Sequence, residues 1–173
     1  MIAVLTSEGD DLSVYPVDCE REIAEFGDLW ALMYYHFAKE MLDSFGEEGE
    51  EALRRAIRSY GRERGLRLRR RHEESGLPIN IKTLFEHYDL PGHPDNRRRR
   101  EVLDEEELLS YILYCPYREI WADHGGDEIG RIYCEEFHHA MWQAYRDDIA
   151  VEIPEILTKG DEHCRFIVHI KRE

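Results

Sequence analysis

Cys164-Arg165-Phe166-Ile167-Val168-His169-Ile170-Lys171 alternates strictly, so one face of an extended strand carries Cys164, Phe166, Val168 and Ile170. An alternating strand that is apolar on one side needs a cover, and the preceding chain supplies one. Asp127 to Arg146 has helical periodicity, with Gly125-Gly126 before it and Asp127 as a possible cap. Gly130, Cys134, Phe137, His138, Met141 and Tyr145 share one face of that helix, whereas His139 points away. Further upstream, Leu108 to Cys115 reads as a strand that stops at Pro116, which cannot donate to a ladder. Arg97 to Leu103 can pair with it across residues 104–107 as a charged edge, and Ile149 to Ile153 adds a fourth strand, joined to the last by Pro154 to Asp161. The predicted class is α+β: a small antiparallel sheet packed against helices in a single domain.

The N-terminal half reads as helical. Ile23, Phe26, Trp30, Met33, Tyr34, Phe37, Met41 and Phe45 recur at helical spacing, so Cys19 to Phe45 predicts a helix whose aromatic stripe packs against the sheet. Gly46 ends it. A second helix, Glu47 to Arg71, has acids at its start and arginines at its end, complementing the macrodipole, with Ala52, Ala56 and Tyr60 as a close-packing face. Gly61 and Gly65 argue against an unbroken run. Ile79 to Tyr88 is a short apolar segment that reads as one helix before the break at Leu90-Pro91-Gly92-His93-Pro94. Residues 1–18 are acidic and rich in turn formers, a loosely attached arm ahead of a domain spanning 19–173.

Composition excludes several classes of function. Net charge is −15, which argues against nucleic acid or an anionic membrane as the main partner. The charge is uneven: residues 1–50 hold 13 acids against 2 bases, and residues 51–100 hold 14 bases against 7 acids. That asymmetry suits internal or subunit-to-subunit complementarity, and a homo-oligomer is one expectation. No apolar run approaches a membrane span, and Met1-Ile-Ala-Val-Leu is too short for a signal-peptide core. A cytoplasmic protein with reduced cysteines is expected.

Three of the four cysteines sit in tight local settings: Tyr114-Cys115-Pro116, Cys134 with His138 one turn on, and Gly160-Asp161-Glu162-His163-Cys164. Cys115 at a strand end, Cys134 on a helix face and Cys164 on a strand face each present sulfur toward one helix–sheet interface, whereas Cys19 lies elsewhere. Thiols can act there as nucleophiles or as soft-metal ligands once ionised. As nucleophilic machinery, one thiol should have a depressed pKa, with His138 or His163 as base and Asp161 as orienter or second base. As a metal site, Cys115, Cys134, Cys164 and His138 would hold zinc or iron, although the long gaps lack the CxxC signature of common zinc sites. Arg165, Arg131 and Arg118 are the cations nearest these thiols in sequence and the candidates to bind an anionic substrate group; Arg165 alternates away from Cys164, which favours Arg131.

These motifs resemble the L-2-amino-thiazoline-4-carboxylic acid hydrolase family. The resemblance rests on Cys115-Pro116, on Cys134 with His138, on Gly160-Asp161 followed by Cys164-Arg165-Phe166, and on the arginine-rich stretch from Ala52 to Gly65. It spans about residues 47–170, and the family's usual residue at the position of His138 is Asp. The resemblance implies water-dependent opening of a small carboxylated cyclic amidine to a carbamoyl-cysteine. The family is also similar, in its Cys-x-Phe strand and layout, to vinyl-reductase-like small-molecule-binding domains. The alternative is therefore a non-catalytic domain that binds a small ligand or metal through the same three-cysteine pocket.

Overall fold

In the computed structural model, which describes residues 18–171, the sheet is the layer furthest from the N-terminal helices. Its strands β1 (Arg97–Leu103), β2 (Glu107–Tyr114), β3 (Ile149–Glu155) and β4 (Cys164–Ile170) are all antiparallel, in the order β1-β2-β4-β3. Asp104 Oδ1 accepts from the N–H groups of Glu106 and Glu107 at 2.8 Å each, which sets the tight β1–β2 turn. β1 is the charged edge expected from its arginines, with Arg99 over the Tyr111 ring and Arg97 over Tyr114. In register, Ile112, Ser110 and Leu108 of β2 oppose Cys164, Phe166 and Val168 of β4, so the strictly alternating strand lends its Cys164 face to the core.

The helix α4 (Asp127–Tyr145) covers that face. Trp142 and His138 pack their rings on Phe166 at 5.6 and 5.0 Å, and Met141, Tyr145 and Ile132 are fully buried. Both N-terminal helices then pack on α4 rather than on the sheet. They form one helical run, α1 (Cys19–Glu74), broken at Gly46, where φ is 55° and ψ −129°. Asp18 caps its start by accepting from the Arg21 N–H, and residues 1–17, which hold most of the expected arm, lie outside the described residues.

The two arms of α1 run in opposite directions along α4. In the first arm (19–45), Tyr34 donates to the Ile129 carbonyl while Trp30, a turn earlier, meets Tyr133, a turn later. In the second arm (47–74), Arg54 pairs with Glu135, Gly61 abuts Ala140, and His72 Nδ1 lies 2.9 Å from the Tyr145 hydroxyl. The glycines that weakened the helix reading are the contact points. A methyl on Gly65 would collide with the Met141 carbonyl oxygen, and one on Gly61 would stand 3.0 Å from the Ala140 Cβ. Close approach of the two axes therefore requires a stripe of small residues.

One expectation of the packing needs correction. The first arm does not lay its aromatic stripe on the sheet. Its small residues Gly27, Ala31 and Ala38, with Tyr35, make the buried contact with α3 and α4, and Phe37 is left in solvent. Trp30 is shared among Tyr34, Tyr117 and Tyr133. The segment after Pro116, to which the sequence reading assigns no element, is helical. It forms α3 (Pro116–Asp123), with Pro116 at the first helical position, where a missing N–H costs nothing. Trp121 of α3 is buried and donates to the Ala31 carbonyl at 3.0 Å. The short helix α2 (Ile81–Glu86), capped by Asn80 to the Thr83 N–H, closes one end of the core.

Candidate functional site

Cys115 occupies the junction where β2 ends and α3 begins, as the residue before the first helical position. Pro116 has no N–H to offer, so the first free backbone donors of α3 belong to Tyr117 and Arg118. Both point at the Cys115 sulfur and favour its thiolate, as does the positive charge of Arg118, while Glu119 opposes it. Burial is the larger influence and pushes the thiol up from its ordinary value. Cys115 is half-buried.

Cys134 comes from the middle of α4, with Thr158, in the short 3-10 turn Leu157–Lys159, against its sulfur. Cys164 opens β4 and accepts from the Leu157 N–H at 3.3 Å. The three sulfurs stand within electrostatic reach of one another: ionisation of Cys134 is opposed by Cys115 and Cys164, and that of Cys164 by Cys115. Burial dominates in each. It drives Cys134 well above the thiol range and Cys164 up to about 11. A depressed thiol, expected from the sequence, is therefore not what the fold makes. All three rest protonated near neutral pH.

His138, the expected base, does not offset that burial. Its ring lies against Trp142, Phe166 and Phe137 with centroids 4.9, 5.0 and 5.3 Å away, and its Nδ1 is buried without a hydrogen-bond partner. Burial, then the positive charges of His139, Arg64 and Arg98, lowers its pKa to about 3. A neutral imidazole cannot draw a thiol toward its thiolate as a cation would.

Of the remaining predicted residues, Asp161 stays near enough to Cys164 to oppose its ionisation, and the others are engaged elsewhere. His163 turns to the other sheet face, 2.9 Å from Glu155 Oε2 and edge-on to Tyr111. Asp161 accepts from the Ile156 N–H at 2.7 Å and holds the β3–β4 connection in shape, with Gly160 beside it at φ 91°. Arg131 is taken up by Glu128 and Glu135 at 3.3 and 3.2 Å. Arg165 lies on the outer sheet face, beside a shallow cavity of about 230 Å³ lined also by Val102, Leu109 and Ile167. Among the described residues, no three His, Cys, Asp or Glu side chains are arranged to share a metal ion, so the donor set proposed for zinc or iron does not fit. Arg118, passed over in favour of Arg131, is the arginine that the fold places beside Cys115. Thr158 was not singled out at all, because nothing near it in sequence marks a lone threonine in a loop.

A family model described as L-2-amino-thiazoline-4-carboxylic acid hydrolase matches residues 29–168. Among curated proteins none matches the chain. Among solved structures, the chain is similar to a trafficking protein particle complex subunit 3 from Naegleria fowleri, a structure in which that protein is covalently bound to palmitic acid. The two share 14% identity over 84% of this chain and 95% of that one, with a TM-score of 0.52. At that identity the likeness shows a shared fold.

Proposed function

Since the chain belongs to the L-2-amino-thiazoline-4-carboxylic acid hydrolase family, we propose that it hydrolyses a small carboxylated cyclic amidine such as 2-amino-thiazoline-4-carboxylate, with Cys115 as the nucleophile. The observation that carries the choice among the three thiols is the position of Cys115 at the N-terminus of α3, facing the N–H groups of Tyr117 and Arg118. A strand-to-helix turn presents a nucleophile at the end of a strand and surrounds the negative charge it develops with backbone donors. Cys134 and Cys164 lack such donors in pairs.

The proposed chemistry runs in two halves. The Cys115 sulfur bonds to the amidine carbon, the ring carbon–sulfur bond breaks, and the proton of Cys115 passes to the departing ring sulfur. Water then attacks the same carbon and expels Cys115 as the thiol, leaving the carbamoyl-cysteine. A resting neutral thiol suits this sequence because it carries the proton that the leaving sulfur requires. Arg118 is the proposed partner of the substrate carboxylate.

The burial of all three thiols favours a second reading, a non-catalytic domain that binds a small carboxylated ligand in the same place. One experiment separates the two. Turnover of 2-amino-thiazoline-4-carboxylate is followed by release of the new thiol, and intact mass under quench reports a covalent adduct. Cys115→Ser should abolish both, by a factor of about 1,000 or more; Cys134→Ala and Cys164→Ala should retain the adduct. A folded wild-type chain that binds the compound without turnover or adduct would establish the second reading.

A further inference from the structure

The first arm of α1 turns a row of large apolar side chains outward. Phe26, Leu29, Met33 and Phe37 are 68, 65, 50 and 65% exposed. They recur at three- and four-residue steps along one helical face about 17 Å long. With an aromatic side chain offering 150–250 Å² when fully buried, this row leaves about 500 Å² of apolar surface in water, in the range of the largest patch on a monomer, which is often a functional surface. Exposed acids flank the row at Glu22, Glu25 and Glu40, of which Glu25 also lies 3.4 Å from Arg21 in a solvent-exposed pair.

The complement lies on the same chain. On the second arm of α1, Leu66 is 51% exposed, and Arg62 and Arg70, one turn before and one turn after it, share its face. The neighbouring arginines are engaged locally, Arg55 with Glu51, Arg67 with Glu63 and Arg69 with Glu73. Arg62 and Arg70 have no carboxylate within ion-pair distance among the described residues.

We propose that this face of α1 is the interface between two copies of the chain, the acid-flanked apolar row of one first arm seating on the Arg62–Leu66–Arg70 face of the other copy's second arm. A two-fold axis makes the contact twice. Each row buries about 500 Å² and covers about as much, which brings the total to about 2,000 Å², the size of a stable specific interface. The pairing follows the sense of the charge asymmetry of the sequence, in which an acidic first segment precedes a basic second one, and draws on the two arginines of the second arm's outer face. An anionic membrane is disfavoured as the occupant by the net charge of −15. The interface is independent of the thiol chemistry, and its test does not use turnover.

Sedimentation equilibrium of the full chain at tens of micromolar measures the assembly, and far-ultraviolet circular dichroism confirms that each variant is folded. The wild type should be a dimer. Phe37→Glu and Met33→Glu change only exposed positions and should weaken association at least about 30-fold with helical content unchanged. Arg62→Glu with Arg70→Glu should weaken it as well, and adding Glu22→Arg with Glu25→Arg should restore it. A monomeric wild type, or a dimer indifferent to Phe37→Glu, overturns the proposal. So does a dimer that resists the arginine reversal, because the second arm then takes no part.

Discussion

At the scale of single residues, the thiols and His138 show how burial outweighs proximity. The sequence indicates which side chains face the core, and on that count Cys115, Cys134, Cys164 and His138 were legible from strand alternation and helical spacing. It does not indicate the dielectric in which they come to rest. Three aromatic rings around His138 turn a prospective base into a neutral core imidazole, with a pKa of about 3 caused first by burial and then by His139, Arg64 and Arg98. This has a consequence for stability. In the unfolded chain the imidazole takes a proton near its ordinary value of 6.5, while the fold refuses it down to about 3. The unfolded state therefore binds more protons in that window, so His138 contributes fully above about 6.5 and the contribution is lost as pH falls toward 3. His138→Leu removes the titration without orphaning a partner, since Nδ1 has none. Between pH 7 and pH 5 the wild type should lose about 2 kcal/mol more stability than the variant. Urea titrations at the two pH values measure this, and parallel losses would show that His138 is not the group responsible.

At the scale of elements, the four strands and α4 were legible to within a residue or two because each combines a clear period with a stop signal. Leu108 to Cys115 ends at Pro116, and Asp127 to Arg146 begins after two glycines. The helix α3 was missed because Pro116 signals both the end of a strand and the first position of a helix, and eight residues give too little periodicity to decide. The glycines of α1 were misread in their role. Gly61 and Gly65 lower intrinsic helix propensity, but they are the positions where α4 approaches the second arm. Gly65→Ala should therefore destabilise the chain by more than about 2 kcal/mol, although alanine gains about 1 kcal/mol in an isolated helix. Gly61→Ala should cost less, since its neighbours are a methyl group and a carbonyl at 3.0 Å that can give slightly. Gly46→Ala meets no neighbour within 4 Å, so its cost is backbone strain alone, about 1–3 kcal/mol. Thermal denaturation of the three variants gives the order. A neutral Gly65→Ala would mean that the two helices separate freely.

At the scale of the whole molecule, the layer order could not be read from the sequence. Periodicity reveals that a helix has an apolar face, not what that face meets, and the first arm of α1 has two candidate faces. The aromatic one is the more conspicuous, yet the small-residue face is the one that packs, because Gly27, Ala31 and Ala38 let backbones come close. The result is a three-layer arrangement in which α4 is the middle layer, with the Phe166 face of the sheet on one side and both arms of α1 on the other. A middle layer cannot open without separating both of its neighbours, so its amides should exchange only through global unfolding. The start of the first arm is different: residues 19–26 are exposed or half-exposed and are held chiefly by the Asp18 cap and an exposed Arg21–Glu25 pair. Hydrogen exchange followed by mass spectrometry should give the slowest peptides within 129–145 and in β4, and the fastest helical peptide at 19–26. If 129–145 exchanges sooner than the β1 edge, α4 is not the element that the two outer layers hold in place, and the layered account of the core fails.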